Sequence, residues 1–336
     1  MRAMQYAKTG GPEVVQLVEI APPKPAAGEV LLQVRAAAMN RMDLFLRGGA
    51  TSMPGWKLPH VGGFDIAGVV TEVGAGVPRE RIGYEAMIKA KVTGPLSRGR
   101  LDIVGISRPG GFAESVALPV ECLAPKPAAL SWEQAAAYPC CHLTAYYGLI
   151  VHARLRPGET VLVHGAGSGA GAAACQMARA AGARVIATAG SAEKVAKARE
   201  LLKVDLAVDY RAQDVVKAAL EFTGGRGVDV VFDPIWGPTA AQTSELIGRG
   251  GRWVLLGMVG GATAELTAAK IMFKEATIHG IVEFFAADDV VEQAFAMAHQ
   301  GRVQPIVDKV WPLEKLAEAH RQMESGAFFG KIVIKP

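Results

Sequence analysis

Four glycines stand close together between a short apolar segment and a run of small residues. The apolar segment covers 160–163, and the residues after it include Gly165, Gly167, Ser168, Gly169, Ala170 and Gly171. Glycine at such a place allows a tight turn and lets backbone N–H groups approach a pyrophosphate, while the N-terminus of a following helix favours an anion. From Gly165 the spacing matches G-x-G-x-x-A, an accepted form of the dinucleotide fingerprint. The sequence therefore predicts a dinucleotide site here rather than a plain strand-to-helix connection.

The residues after the next predicted strand, 184–188, indicate which dinucleotide is bound. A carboxylate at the end of this strand usually selects NAD by binding the ribose hydroxyls. Gly190 and Ser191 stand there instead, and Lys194 follows one helical turn later. Open space beside a positive charge favours the 2′-phosphate of NADPH, although a lysine on a solvated helix face gives the same pattern. The prediction is an NADPH site.

Strands and helices alternate around this turn, as they do in βαβ units with a parallel sheet. The predicted strands are 160–163, 184–188, 206–209, 228–232, 253–256 and 277–282, and the predicted helices are 169–181, 192–202 and 290–300. The chain before residue 125 differs, because short β segments such as 30–35, 68–73 and 112–117 are separated there by Gly and Pro. That region predicts an irregular, barrel-like β domain.

The last segment of the chain returns to a β-like pattern from residue 307 to residue 336. We expect it to pack on the first domain and to make that domain discontinuous. The predicted domains are therefore 1–125 with 285–336, and 126–284.

Composition limits the function classes that remain. The chain has 336 residues, of which 50% are hydrophobic and 20% charged, which excludes a disordered or fibrous protein. A net charge of +4 is too small to indicate a nucleic-acid partner. No signal-type segment or membrane-length apolar run is evident. The four cysteines, which show no CxxC spacing, predict a reducing compartment; they are Cys122, Cys140, Cys141 and Cys175. We therefore expect a cytoplasmic protein.

Short motifs follow one another in order along nearly the whole chain: 10–15, 36–43, 62–70, 110–114, 143–146, the glycine turn, 174–178, 208–211 and 329–333. Together they resemble the medium-chain dehydrogenase/reductase superfamily, particularly its zinc-free quinone oxidoreductase branch. The resemblance implies an α/β fold, with a GroES-like β-rich catalytic domain, a Rossmann doubly wound parallel-sheet domain and an active site in the cleft between them. It also implies a homodimer, commonly formed by edge pairing of the Rossmann sheets, here along 277–282.

The resemblance also identifies the positions where alcohol dehydrogenases of this family hold catalytic zinc. Those positions are Asn40, Phe64 and Cys141 in this chain. Neither an amide nor a phenyl ring can replace a thiolate and an imidazole at tetrahedral zinc. The segment that corresponds to the family's structural zinc lobe, about 84–109, contains no cysteine. We therefore predict no metal ligands.

Without a Lewis acid, alcohol oxidation is disfavoured, whereas hydride transfer from NADPH to a quinone or an α,β-unsaturated carbonyl compound remains feasible. By resemblance, Asn40, Thr144, Gly257, Met258 and Lys331 lie near the nicotinamide half, and Lys194 and Tyr210 lie near the adenosine phosphate. His142 is either a proton donor or a packed histidine. The predicted catalytic residues are Asn40, His142 and Thr144.

Two other functions stay open at this point. One is an alcohol dehydrogenase-like reductase of aldehydes or ketones that has lost zinc, which needs an acid such as His142. The other is a non-catalytic relative that binds NADPH without turnover, as in lens crystallins or vesicle-associated members of the family. The complete glycine turn argues against lost binding but does not bear on lost catalysis.

Overall fold

A computed structural model describes residues 1–50, 53–98 and 101–336 of the chain. The strands in it are β1 (Arg2–Gln5), β2 (Gln16–Glu19), β3 (Glu29–Ala38), β4 (Asp65–Val73), β5 (Glu85–Ile88), β6 (Ser115–Pro119), β7 (Leu123–Pro125), β8 (Thr160–Val163), β9 (Arg184–Ala189), β10 (Leu206–Asp209), β11 (Val228–Asp233), β12 (Ile247–Leu255), β13 (Thr277–Gly280), β14 (Val307–Pro312) and β15 (Lys331–Lys335). The α-helices are α1 (Arg41–Gly48), α2 (Trp132–Ala137), α3 (Pro139–Tyr146), α4 (Gly169–Ala180), α5 (Ala192–Leu202), α6 (Val215–Phe222), α7 (Pro238–Leu246), α8 (Ala268–Met272), α9 (Asp288–His299) and α10 (Leu316–Ser325). A π-helical segment, Tyr147–His152, continues α3.

The chain divides into two compact units. The first unit is Met1–Pro139 with Pro305–Pro336, and the second unit is Cys140–Gln304. Both divisions lie later in the chain than the boundaries predicted at 125/126 and 284/285. One reason is that α2 packs on β3 and β4 of the first unit. The assignment of the two units to folding domains stays a prediction.

The first unit contains a seven-stranded, mostly antiparallel sheet. Its order is β14-β15-β3-β4-β5-β7, with β6 also paired to β3. The parallel pair β14–β15 adjoins β3, so the tail of the chain completes this sheet. Apolar side chains such as Leu32, Ile66 and Ile334 are fully buried in its core. The GroES-like part of the predicted fold class is confirmed.

Two details of the first unit differ from the sequence prediction. The predicted strand 112–117 begins instead at Ser115, because the backbone of Phe112 bonds to Gly62 and Met4. The tail was predicted as β-like throughout, but it includes α10. This helix forms because Leu316, Ala319 and Met323 recur at helical spacing and bury one face in the core of the unit.

The second unit contains a six-stranded parallel sheet in the order β10-β9-β8-β11-β12-β13. This is the strand order of a Rossmann sheet, which confirms the doubly wound part of the prediction. The strand order reverses between β8 and β11, and ligands of such sheets bind at that point, outside the carboxyl ends of the strands. The glycine turn follows β8 directly.

The predicted elements of the second unit agree closely with the observed ones, with one larger difference. Strand β12 begins at Ile247, whereas the sequence predicted a start at Trp253. The intervening Gly248, Gly250 and Gly251 are typical of a turn, yet Ile247 pairs with Val228 before a bulge in the ladder. Among the described residues, no helix combines the length and hydropathy needed to cross a bilayer.

Candidate functional site

The glycine turn connects β8 to α4 through a left-handed residue and a capped helix start. Gly165 has φ +65°, a conformation that glycine adopts without the steric cost of a Cβ. The Ser168 N–H donates to the Gly165 carbonyl at 2.9 Å. Ser168 is the N-cap of α4, and its Oγ accepts a hydrogen bond from the Gly171 N–H at 3.0 Å. The turn is therefore fixed by its own hydrogen bonds.

The start of α4 lies so close to this turn that Gly171 has no room for a side chain. A Cβ on Gly171 would be 2.3 Å from the Gly165 carbonyl oxygen. The first N–H groups of an α-helix have no intrahelical acceptor, and those of Gly169 and Ala170 belong to this class. Together with the helix dipole they form an anion site of the kind that holds a pyrophosphate. The residues predicted for this site, Gly165 to Gly171, are therefore adjacent in a cradle that fits a dinucleotide.

A loop after β11 forms one wall beside the turn, and sequence reasoning did not single it out. Asp233 is fully buried at its start, and its carboxylate accepts hydrogen bonds from four donors. They are the N–H groups of Ile235 and Trp236, the Thr239 hydroxyl and the Trp253 indole N–H. An acid directly after the apolar run of β11 is the sequence signal that could have revealed this role.

The predicted residues Gly257 and Met258 follow β12 in the same unit. A Cβ on Gly257 would be 2.6 Å from the Pro234 carbonyl oxygen, so this glycine permits close packing against the loop after β11. Met258 is exposed, with 56% of its surface accessible. Both residues are at the carboxyl end of the sheet, as is the glycine turn.

The residues predicted for the adenosine phosphate come together at the carboxyl ends of β9 and β10. A Cβ on Gly190 would be 2.5 Å from the Tyr210 hydroxyl oxygen. Ser191 is the N-cap of α5, and its Oγ accepts from the Lys194 N–H at 3.3 Å. Tyr210 is half-exposed. Gly190, Ser191, Lys194 and Tyr210 therefore form one region, called here the corner after β9. Its side chains include two hydroxyl groups and one lysine.

The predicted catalytic residues His142 and Thr144 are buried in α3. Their exposed fractions are 2% and 5%. The Thr144 hydroxyl donates to the Cys140 carbonyl at 2.7 Å, one helical turn earlier, so its oxygen keeps only an acceptor role. The Cys140 thiol donates to Glu283 Oε1 at 3.3 Å. The structure thus places both predicted residues in the second unit, with the Thr144 proton already engaged.

Asn40 and Lys331, the two remaining predicted site residues, meet in a buried cluster of the first unit. The Lys331 ammonium donates to Asn40 Oδ1 at 2.7 Å and to Asp65 Oδ2 at 2.9 Å. The Asn40 amide donates to the same Asp65 oxygen at 2.9 Å. Because Asp65 is fully buried, its negative charge needs these donors. We call Asn40, Asp65 and Lys331 the polar cluster.

Asp43 supports the polar cluster from the first turn of α1. One carboxylate oxygen accepts from the Asn40 N–H at 2.7 Å, and the other accepts from the Gly63 N–H at 3.2 Å. Burial raises the pKa of Asp43 to about 7, although the two N–H donors and the Lys331 charge act in the opposite direction. Asp43 therefore fixes the backbone at both Asn40 and the Gly62–Gly63 segment.

The polar cluster does not fit a catalytic zinc ion. Asn40 and Phe64 stand at two of the family's three ligand positions, and the phenyl ring of Phe64 is buried. The Asn40 side chain is bonded to an ammonium, a cation that would repel a second cation at the same place. In the part of the chain that the structure describes, no three His, Cys, Asp or Glu side chains are grouped to hold a metal.

Comparisons with known proteins agree with the two-domain fold. Two family models match, an alcohol dehydrogenase GroES-like domain over residues 26–128 and a zinc-binding dehydrogenase over residues 169–300. Quinone oxidoreductase of Homo sapiens is 30% identical over 342 residues, which cover 99% of this chain and 97% of that protein.

Two solved structures are also similar. An NAD-dependent alcohol dehydrogenase has a TM-score of 0.92 and 35% identity, with 100% of both chains covered. Escherichia coli quinone oxidoreductase complexed with NADPH has a TM-score of 0.86 and 29% identity, again with 100% of both chains covered. With both domains matched and relatives similar over their full length, the chain belongs to the medium-chain dehydrogenase/reductase superfamily, as an oxidoreductase related to the quinone oxidoreductases.

Proposed function

We propose that the protein is a zinc-independent, NADPH-dependent oxidoreductase that transfers hydride to quinones or α,β-unsaturated carbonyl compounds. The observation that supports this most is the polar cluster. Asn40 stands at one of the positions where the family's alcohol dehydrogenases hold a zinc ligand, and its side-chain oxygen accepts from the Lys331 ammonium, with Asp65 bonded to both side chains. An ammonium binds no metal, and the Asn40 oxygen is already engaged by it, so the cluster suits an acceptor that is already electrophilic.

The two units contribute different functions to this proposal. When bound, NADPH supplies the hydride. In the second unit, the first-turn N–H groups of α4 hold the pyrophosphate. In the first unit, the Asn40 amide binds Asp65 through one N–H and would offer its other N–H to an acceptor oxygen on which negative charge develops. A reduced quinone can take its proton from water, so no strong acid is needed.

His142 and Thr144 stay in the proposed site as predictions. If His142 donates a proton to a carbonyl product, His142→Gln lowers kcat for an enal substrate but leaves the turnover of p-benzoquinone nearly unchanged. A uniform loss with both substrates indicates a packed histidine, which is the structural alternative for a ring with 2% exposure. Thr144→Val tests the second predicted residue in the same two assays.

The corner after β9 supports NADPH rather than NADH. An NAD-selecting carboxylate at position 190 would require the half-exposed Tyr210 side chain to move, because even a Cβ there would be 2.5 Å from the Tyr210 hydroxyl oxygen. Ser191, Lys194 and Tyr210 instead offer two hydroxyl groups and a cation to a 2′-phosphate.

The cofactor preference can be tested by removing the single positive charge of Lys194. Lys194→Gln is expected to raise the KM for NADPH about tenfold, the loss of one charge-assisted contact, while the KM for NADH changes little. Lys197→Gln removes a lysine that pairs with Glu193 on the same helix and serves as the control. A wild-type preference for NADH, or equal effects of the two variants, contradicts the proposal.

The similarity to an NAD-dependent alcohol dehydrogenase supports a second candidate, a reductase of aldehydes or ketones. A substrate panel separates the two. NADPH oxidation is measured with 9,10-phenanthrenequinone, p-benzoquinone, a 2-alkenal and a simple aldehyde. Turnover of the quinones or the enal supports the first proposal, and turnover of the aldehyde alone supports the second.

Two other results bear on the proposal. Tight NADPH binding with no turnover indicates a non-catalytic relative, and stoichiometric zinc in the purified protein contradicts zinc independence.

We also propose a homodimer formed along the edge of the six-stranded sheet. Strand β13 ends that sheet, pairing with β12 on its other side, and Ile278 on it is 40% exposed. A second copy pairing there extends the sheet and covers Ile278. Light scattering of the wild type and of Ile278→Lys tests this. Leu201→Lys, at an equally exposed residue on α5, is the control.

A further inference from the structure

A small cavity lies beside the polar cluster, within the first unit. Its volume is about 10 Å³, close to the minimum that holds one water molecule. The wall includes Asp43, Gly62, Phe112, Tyr6 and His320. Since a water molecule needs two to four polar partners, the chemistry of these side chains decides whether the cavity is wet.

His320 presents a hydrogen-bond donor with no partner among the residues that the structure describes. Its Nδ1 lies 3.0 Å from Arg47 Nη1, and a guanidinium can only donate, so Nδ1 accepts. Burial, followed by the Arg47 charge, lowers the pKa of His320 to about 3, so the ring is neutral at pH 7. The proton of the neutral ring is therefore on Nε2, which is buried and unsatisfied. A buried donor of this kind costs about 1–3 kcal/mol unless something accepts its hydrogen bond.

Other residues of the cavity wall supply acceptors. The Asp43 carboxylate has capacity beyond the two N–H groups it binds, because two carboxylate oxygens offer about four lone-pair sites. Gly62 leaves this space open, since a Cβ on it would lie 3.5 Å from both Asp43 Oδ1 and the Phe112 ring. Tyr6 adds a hydroxyl that can donate or accept.

We propose that this cavity binds one structural water molecule, which accepts from His320 Nε2 and donates to Asp43. His320 is then a positioning residue that acts on Asn40 and Gly63 through the water and Asp43. The water connects α10, near the end of the chain, with the first turn of α1. The other charged groups near Asp43 are Arg47 on its own helix, Asp65 on β4 and Lys331 on β15. The proposal is independent of the reaction proposed above, because its tests use the resting protein.

Two variants of His320 separate its two hydrogen bonds. In His320→Asn the amide oxygen takes the place of Nδ1, so the Arg47 contact is kept and the donor to the cavity is lost. In His320→Gln the amide nitrogen takes the place of Nε2, so the donor is kept and the Arg47 contact is lost. The first readout is a high-resolution crystal structure of the wild type and each variant. We expect a water within hydrogen-bond distance of Nε2 and Asp43 in the wild type and in His320→Gln, and its loss in His320→Asn.

The second readout is the Asp43 pKa, which is measured by NMR of ¹³C-labelled aspartate carboxyl groups. The Asp43 signal is assigned as the one that is missing in Asp43→Asn. Losing a donor destabilises the ionised carboxylate, so His320→Asn should raise this pKa by on the order of 0.5 to 1 unit. His320→Gln should leave it unchanged. Equal shifts in the two variants, or a dry cavity in the wild type, overturn the proposal.

Gly62→Ala provides a test that leaves His320 intact. The added methyl group makes ordinary van der Waals contacts with Asp43 and Phe112, so the fold should tolerate it. It should displace the water and raise the Asp43 pKa as His320→Asn does. An unchanged pKa in Gly62→Ala contradicts the water link even if both His320 variants fail to fold.

Discussion

The two candidate binding regions are built from different parts of the chain. The glycine turn of the second unit works with backbone N–H groups, and its specificity depends on side chains being absent. The polar cluster of the first unit works with three side chains that satisfy one another. The first region should therefore be sensitive to an added methyl group, whereas the second should be sensitive to a removed charge. Each prediction below tests one side of this contrast.

The largest effect is expected when the polar cluster loses its cation. Lys331→Met leaves the Asp65 carboxylate fully buried without its ion pair, which typically costs 3–5 kcal/mol in the free energy of unfolding. Lys335→Met, on the same strand, removes an exposed pair with Glu133 and should cost less than about 1 kcal/mol. Chemical denaturation of both variants measures the difference. If the two variants lost similar free energies of unfolding, the buried charge of Asp65 would not be what organises this region.

An added methyl group in the glycine turn should have the next largest effect. Gly171→Ala forces the start of α4 away from the Gly165 carbonyl, and overpacking of this kind costs about 1–3 kcal/mol. If the shift displaces the first-turn N–H groups of α4, the Kd for NADPH should rise about 10- to 100-fold. Calorimetric titration measures it. Gly48→Ala, where nothing lies within 4 Å of the new Cβ, should bind NADPH normally.

The pH dependence of stability should reveal Asp43. Burial raises its folded pKa to about 7, above the value of about 4 in an unfolded chain. Between these values the folded state binds a proton that the unfolded state has lost, so Asp43 lowers stability as pH rises, by about 1.4 kcal/mol per pH unit. Unfolding measured from pH 4 to 7 should lack this component in Asp43→Asn. An identical slope in the variant would show that Asp43 ionises normally.

The smallest effect separates two helix caps. Ser168→Ala and Ser131→Ala each remove an N-cap hydroxyl, from α4 and from α2, and each should cost about 1 kcal/mol of stability. Only Ser168→Ala should also weaken NADPH binding, by a few fold, because its cap orders the phosphate turn. Thermal unfolding and cofactor titration of the pair test this. Equal binding in both variants would mean that the turn keeps its shape without the cap.

Local patterns along the sequence predicted much of the second unit. Strand β8 and helix α5 have the predicted bounds because apolar runs, small residues and N-caps are local signals. The predicted start of β12 was wrong because the glycines in its first half are typical of turns. The contact between Gly190 and Tyr210 depends on two strands lying side by side, which no short window contains.

The polar cluster was predicted only in part, because it depends on distant residues. Asn40 and Lys331 were identified by resemblance, but their shared partner Asp65 was not among the predicted site residues. Asp65 and Lys331 are 266 positions apart, and pairing of β15 with β3 brings them together. The Asp233 loop was missed although three of its donors are local; only the Trp253 indole is brought to Asp233 by the pairing of β11 with β12.

The position of Lys331 on β15 has a consequence for protein synthesis. The whole second unit leaves the ribosome before Lys331 does, so a nascent chain can complete its six-stranded sheet before Asn40 and Asp65 meet their cation. During that interval Asp65 remains in water or pairs elsewhere, and the sheet of the first unit lacks β14 and β15. The first unit is therefore the later of the two to be completed, and a chain truncated before β15 contains the whole second unit but lacks the cation of the polar cluster.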